Sequence, residues 1–216
     1  MSGALDRDFA AVIFDMDGTL IDSTPAVIRS WTTWALEYGI TAEQLADSHG
    51  LPAAALVRRL IPADRAEEAT RRIVDLELTD LDGVVALPGA ARALQVLGDR
   101  AAIATSSTRV LADARLRASG IPVPTVVITV DDVTHGKPDP EPFRTAAHRL
   151  GQRPEDCLVV EDAPAGLAGA ADAGCATLAV VTTNTPDRLT RADLIVPNLG
   201  QVDWSLSDRG IRLTRR

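Results

Sequence analysis

Cysteine is almost absent from this sequence. Two thiols in 216 residues, Cys157 and Cys175, are too few for a disulfide framework. Cys157 opens an apolar run and Cys175 follows a glycine that ends a helix, so both read as small buried hydrophobes. Aromatic residues make up only 3% of the chain, and the core must therefore be built from Ala, Val, Leu and Ile. No apolar run approaches the ~18 residues that a bilayer span requires. The first eight residues are polar and acidic and lack the layout of a signal peptide, so the expected location is the cytoplasm.

Positive charge is also scarce. Lys and Arg number 22 against 30 Asp and Glu, a net charge of −8. Such a surface disfavours non-specific binding to nucleic acid or to anionic membrane, and neither is expected as a partner. An anionic substrate would need a local positive field made by a metal, a lysine or helix N-termini. Oligomeric state leaves no mark on the sequence, and a monomer is the default expectation.

With 46% hydrophobic and 24% charged residues, the composition is that of a globular chain with a real core. Short apolar runs end abruptly in polar residues. Ala11 to Phe14 ends in Asp15, Ala101 to Ala104 in Thr105-Ser106-Ser107, and Leu158 to Val160 in Glu161-Asp162. Val126 to Ile128 runs toward Asp131-Asp132, while Ala176 to Val181 and Leu194 to Val196 are further strands. Continuous rather than alternating runs predict strands buried on both faces of a parallel sheet. Helical stretches lie between them. One starts at Pro88 and carries Leu94 and Leu97; a second has Val110, Leu111 and Ala114 at helical spacing and stops at Gly120. A third, Pro164 to Ala173, stops at Gly174. This alternation predicts a doubly wound α/β fold.

The segment from about Asp22 to Ala86 breaks the rhythm and holds no convincing strand. Thr24-Pro25 reads as an N-cap and first turn, Gly39 as the helix end, and Thr41/Gln44 as a capping box. Glu67/Arg71 and Glu68/Arg72 are spaced as i,i+4 pairs. The expected organisation is a core domain of residues 1–21 and 87–216 with a helical cap domain, 22–86, inserted after the first strand. The carboxyl ends of parallel strands are where such folds bind ligands, so the insertion is placed to act as a lid. At the chain's end, Asp208-Arg209-Gly210 reads as the turn of a small hairpin with Trp204 and Ile211 on its arms.

A parallel sheet gathers the polar residues that end each run along one edge, bringing together Asp15, Asp17, Ser106 and Asp162. Clustered carboxylates repel unless a cation sits among them, and Mg²⁺ suits one or two carboxylates plus a phosphate. Asp15-Met16-Asp17-Gly18-Thr19-Leu20 lacks the further carboxylates and closing Glu of a calcium loop. A surface turn fits poorly directly after a buried strand. Lys137, in His135-Gly136-Lys137-Pro138-Asp139-Pro140, is the chain's single lysine among arginines. A compact ammonium is chemically distinct from a planar guanidinium, which points to a site; a lysine in a surface turn is the alternative. Ser106 could hold phosphate oxygens or simply cap the following helix, and the two roles are compatible.

Four signatures, Asp15-Met16-Asp17-Gly18-Thr19, Ala104-Thr105-Ser106, Gly136-Lys137-Pro138 and Glu161-Asp162-Ala163-Pro164-Ala165-Gly166, together resemble the haloacid dehalogenase-like (HAD) superfamily. They occur in the family's order, and the resemblance spans about Phe9 to Pro197. It implies a Rossmann-like core with a helical cap. It further implies a phosphatase in which Asp15 attacks phosphorus and Asp17 acts as general acid and then base. Mg²⁺ would be held by Asp15, Asp162 and the backbone carbonyl of Asp17, with Glu161 bound directly or through water. Ser106, Ser107 and Lys137 would hold the substrate's phosphoryl group.

Asp17 and Glu161-Asp162 argue against the hydrolytic dehalogenases of the superfamily. A β-phosphoglucomutase-like enzyme shares the four motifs, but the histidine and arginine expected of it fall on Val27 and Ala53. Thr24-Pro25-Ala26-Val27, His49-Gly50 and Glu161 to Gly166 look more like phosphatases of sugar phosphates, 2-deoxyglucose 6-phosphate or glycerol phosphate. On that similarity His49 and Gly50 face the substrate, with a helix-end role the alternative for His49. Arg58 and Arg59 suit solvated helix charges, Trp31 and Trp34 suit the cap's core, and Arg109 and His135 are undecided. A non-catalytic phosphometabolite sensor is the reading from another class. It would tolerate loss of Asp15 or Asp17, yet both are present.

Overall fold

The computed structural model describes residues 5–45 and 53–216. In chain order the elements are β1 (Ala11–Phe14), β2 (Ile21–Asp22), α1 (Thr24–Tyr38), α2 (Ala42–Leu45), α3 (Ala53–Leu60), α4 (Ala66–Thr79), β3 (Val85–Ala86), α5 (Ala90–Leu97) and β4 (Ala101–Ala104). There follow α6 (Arg109–Ser119), β5 (Val126–Ile128), α7 (Glu141–Arg149), β6 (Cys157–Glu161), α8 (Pro164–Ala173), β7 (Ala176–Val180), β8 (Leu194–Val196), β9 (Val202–Ser207) and β10 (Gly210–Arg215).

Six strands form one parallel sheet in the order β5-β4-β1-β6-β7-β8, as the apolar runs predict. The alternation of side chains across each strand explains why the runs are continuous. Val12, Phe14, Ile103, Leu158 and Val160 face one core, shared with Leu94 and Leu97 of α5 and Ala112 and Leu116 of α6. Ala11, Ile13, Ala102 and Val159 face the other, shared with Phe143 of α7 and Ala170 of α8. With helices on both sides, neither face of β1 meets water. The strand order reverses about β1, so its carboxyl end is the topological switch point of the sheet. Both cysteines are buried, and burial pushes their thiols up to about 12.

Between β2 and β3 the described residues of the insertion are helical. The two short strands pair antiparallel and bring its entry and exit together; strand structure therefore lies at the borders of a segment whose sequence shows none. The insertion has a core of its own, centred on Trp34 with Val57, Ala69 and Ile73. The Trp34 indole donates to the Ala69 carbonyl at 2.9 Å and stacks on Tyr38 at 4.9 Å between centroids. Trp31 packs edge-on against Trp34, so both tryptophans serve the cap core. Thr41 and Gln44 form the expected capping box.

Three local expectations need correction. Glu67 pairs with Arg71 at 2.5 Å, but Arg72 reaches across to Glu37 on α1 at 2.6 Å rather than to Glu68. The N-cap of α1 is Ser23, one residue before Thr24, and its side chain makes no cap bond. On α6, Val110 is exposed, and the buried stripe is Leu111, Ala112, Arg115 and Leu116.

The C-terminal residues form the expected hairpin, β9 pairing with β10. Trp204 meets Phe14 edge-on at 6.0 Å, so the hairpin closes the core directly behind the strand that carries Asp15.

Trp34 is fully buried, and Trp34→Ala should cost about 3–5 kcal/mol through lost burial and the cavity left behind. Denaturant unfolding checks this; a change below ~1 kcal/mol would mean that Trp34 is not the centre of the insertion's core.

Candidate active site

Asp15 continues the β1 ladder, its N–H donating to the Val160 carbonyl at 2.9 Å. The chain then turns sharply: Leu20 and Ile21 both donate to the Met16 carbonyl, at 2.9 and 3.0 Å. Gly18 makes the turn possible. Its φ is +86°, and a Cβ there would lie 2.4 Å from Asp162 Oδ2. The neighbouring strand β6 ends in Glu161, and Gly166 in the first turn of α8 leaves room for it. A Cβ at Gly166 would stand 1.7 Å from Glu161 Oε1.

Asp15, Glu161 and Asp162 are all buried, and one oxygen from each lies within 4.8 Å of the others. One cation enters this group. Lys137, itself buried, places Nζ 2.5 Å from Asp15 Oδ1 and 2.6 Å from Glu161 Oε1. Glu161 Oε2 accepts from the Asp162 and Ala163 amides at 3.0 and 3.1 Å, so both its oxygens are engaged. Asp162 is held by the hydroxyls of Thr19, at 3.3 Å, and Thr183. Asp15 Oδ2 has no hydrogen-bond partner among the described residues, which leaves one oxygen of a buried carboxylate available for chemistry.

Three carboxylates face one ammonium, and the imbalance appears in their proton affinities. Burial raises Asp15 well above the usual carboxylate range; Lys137 pulls it down, while Glu161 and Asp162 push it up. Burial and Glu161 together raise Asp162 to about 7. Burial alone would depress Lys137, but Asp15 and Glu161 outweigh it and hold the amine protonated. A hard divalent cation fits this set. The donors are all oxygen, they converge, and the negative charge exceeds what Lys137 neutralises.

Asp17 stands apart from the trio. Its Oδ1 accepts from Ser23 Oγ at 2.6 Å, and its Oδ2 from Ser107 Oγ and Arg115 Nη1, both at 3.1 Å. Arg115 Nη2 in turn donates to Glu77 Oε1 on α4 at 3.0 Å. Ser23, Arg115 and Glu77 escape a reading of the sequence. The one visible signal is Arg115 itself, a charge four residues after Leu111 on an otherwise apolar helix stripe.

Ser106 is half-buried in the turn after β4, flanked by Thr105 and by Ser107, whose N–H donates to Thr105 Oγ1 at 3.1 Å. Ser106 does not cap α6; Thr108 does, accepting from the Leu111 amide. His49 and Gly50 lie outside the described residues. Arg58 and Arg59 are exposed. Arg109 ties loops together through Asp132 at 2.6 Å, and His135 pairs with Glu141 at 3.2 Å on the surface.

This arrangement has relatives. A family profile described as haloacid dehalogenase-like hydrolase matches residues 9–174. The chain is 40% identical over 206 residues to hexitol phosphatase A of Escherichia coli (strain K12), covering 92% of this chain and 95% of that protein. It is 32% identical to glycerol-1-phosphate phosphohydrolase 2 of Saccharomyces cerevisiae, covering 87% of this chain and 82% of that one. The fold superposes on a β-phosphoglucomutase from Clostridium difficile with a TM-score of 0.77 at 21% identity, over 89% of this chain and 92% of that one. No helix among the described residues is long and apolar enough to cross a membrane.

The raised pKa of Asp162 has a consequence for stability. Folding raises it from 3.8 to about 7, so between these values the native state binds more protons than the unfolded state. Without metal, the ionised group then costs stability progressively as pH rises through that window. Asp162→Asn removes the charge, so its melting temperature relative to the parent should climb from pH 4 to pH 7 and level off above. A difference that does not change with pH would contradict the assignment.

Proposed function

The chain belongs to the haloacid dehalogenase-like hydrolases, and on that footing we propose that it hydrolyses the phosphomonoester of a small sugar or polyol through a phosphorylated Asp15. One observation carries the proposal: the buried Asp15 carboxylate is held at Oδ1 by Lys137 at 2.5 Å while Oδ2 is unengaged among the described residues. A nucleophile fixed at one oxygen and open at the other is prepared for in-line attack.

In the proposed first step Asp15 Oδ2 forms a bond to phosphorus as the bond from phosphorus to the substrate oxygen breaks. Asp17 gives its proton to that leaving oxygen. In the second step Asp17 takes a proton from water, whose oxygen attacks phosphorus, freeing inorganic phosphate and the Asp15 carboxylate. Lys137 and Ser106 stabilise the charge on the transferring oxygens, whereas Ser107 spends its hydroxyl on Asp17 and its N–H on Thr105. Asp15, Asp162 and the Asp17 carbonyl would hold Mg²⁺, which supplies further neutralisation of that charge. Glu161, with both oxygens engaged, serves to fix Lys137 and the backbone at Asp162.

The proposed division into a core of residues 1–21 and 87–216 and a cap of 22–86 assigns leaving-group selection to the cap. Support comes from the paired β2 and β3 at its borders and its separate hydrophobic cluster. The relatives named for hexitol and glycerol-1-phosphate direct the reading to polyol and sugar phosphates. A phosphosugar mutase shares the fold, but the histidine and arginine expected of one fall on Val27 and Ala53, which carry neither proton nor charge to transfer.

The test is phosphate release from hexitol phosphates, hexose 6-phosphates, 2-deoxyglucose 6-phosphate and glycerol phosphate, with and without Mg²⁺. Metal-dependent release that vanishes in Asp15→Asn and in excess chelator is expected. Isomer formation without free phosphate would turn the reading to a mutase, and binding without turnover to a sensor. Lys137→Ala should lower kcat by at least ~10²-fold; near-normal kinetics would remove Lys137 from the site.

A further inference from the structure

Arg115 stands on α6 with its side chain 5% exposed, between carboxylates that belong to different parts of the fold. Nη1 serves Asp17 Oδ2 at 3.1 Å and Ser107 Oγ at 3.4 Å, and Nη2 serves Glu77 Oε1 at 3.0 Å. Among the described residues its Nε has no partner, and the guanidinium is held through its two terminal nitrogens. Glu77 is buried on α4, within the insertion, and accepts from Arg115 Nη2.

We propose that Arg115 is the positioning residue for Asp17 and that Glu77 sets where Arg115 sits, so that the aim of Asp17 depends on α4 being seated against α6. This rests on the reading of Asp17 as the proton-transfer group. The remaining contacts of the Asp17 carboxylate are two hydroxyls, Ser23 and Ser107, and Ser107 is itself held by Arg115. Hydroxyls rotate freely, whereas a charged donor on a rigid fork is stronger and directional. A planar guanidinium can serve carboxylates on two sides at once, which a lysine ammonium at this depth cannot reproduce. Glu77 is also what makes the buried charge tolerable on the side away from Asp17, because an uncompensated buried ion is strongly unfavourable. When α4 moves off α6, Glu77 leaves Arg115, and the guanidinium is free to follow Asp17 or abandon it. Proton transfer to a leaving oxygen is sensitive to such shifts: a misplacement of ~1 Å can cost ~10²-fold. The arrangement thus ties proton delivery to the seating of the insertion over the sheet edge.

The experiment follows kcat/KM over a series of substituted phenyl phosphates of graded leaving-group acidity, with Asp17→Asn as reference. Poor leaving groups need the proton and good ones do not. Glu77→Gln keeps the shape and a hydrogen bond to Arg115 but removes the charge, and it serves where Arg115→Lys folds poorly. In both variants kcat/KM should fall roughly 10- to 100-fold for the poorest leaving groups and by no more than about threefold for nitrophenyl phosphates. Adding Glu77→Gln to Arg115→Lys should cost little more, since Glu77 acts through Arg115. An equal fall across the series, a change in KM alone or unchanged kinetics would overturn the inference and leave the pair a structural one. Asp17→Asn should show the same steep dependence. If it does not, the reading of Asp17 fails and this inference with it.

Discussion

The buried ammonium of Lys137, lodged between Asp15 and Glu161, is the interaction on which the rest of the structure depends. Bringing Asp15, Glu161 and Asp162 within 4.8 Å of one another is electrostatically unfavourable, and burial makes it more so. The fold accepts this because each element around the cluster gives something up. Gly18 and Gly166 forgo side chains where a Cβ would strike Asp162 or Glu161. Glu161 spends its second oxygen on two backbone amides, and Thr19 and Thr183 turn their hydroxyls to Asp162. The result is a site whose negative charge exceeds what Lys137 neutralises, which fits the proposed binding of a divalent cation beside an anionic substrate.

A second cluster, built on arginine, performs a different task. Lys137 is a point charge shared between neighbouring strand ends, whereas Arg115 is a fork spanning the gap from the sheet edge to the insertion. On the proposed roles, phosphoryl transfer and proton delivery are thereby split between the two clusters. The Lys137 cluster sits at the ends of β1 and β6, neighbouring strands in the centre of the sheet. The Arg115 cluster is only as firm as the contact of α4 with α6, and that difference is what a covering segment needs if it is to open for substrate and close for chemistry.

Much of this was legible from residues alone, for a physical reason. A strand buried on both faces has to be a continuous apolar run, so the polar residue that ends it marks the sheet's carboxyl edge, and Asp15, Glu161 and Asp162 stand at those ends. The rarity of lysine pointed to Lys137. What local spacing could not show is pairing across the chain. Ser23 looks like nothing more than a helix start, yet its hydroxyl bonds Asp17 instead of capping α1. Glu77 looks like a surface charge and Arg115 like a lone charge on an apolar helix stripe, and they meet only because α4 is laid over α6. Helix α7 is missed because Pro140 and Pro142 mask its first turn, although Phe143 anchors it in the core. The β2–β3 pair is too short, at two residues each, to carry an alternation pattern.

On the proposed route Asp15 itself carries the phosphoryl group between substrate and water. The measurement that bears on it most directly is acid quenching during steady turnover, followed by mass spectrometry of the peptide that contains Asp15. The expected result is an acid-stable, hydroxylamine-sensitive phosphoryl group on Asp15 that forms only with substrate and metal, and is absent in Asp15→Asn. Turnover at full rate with no phosphorylated peptide at any quench time, or with the label on another residue, would contradict it.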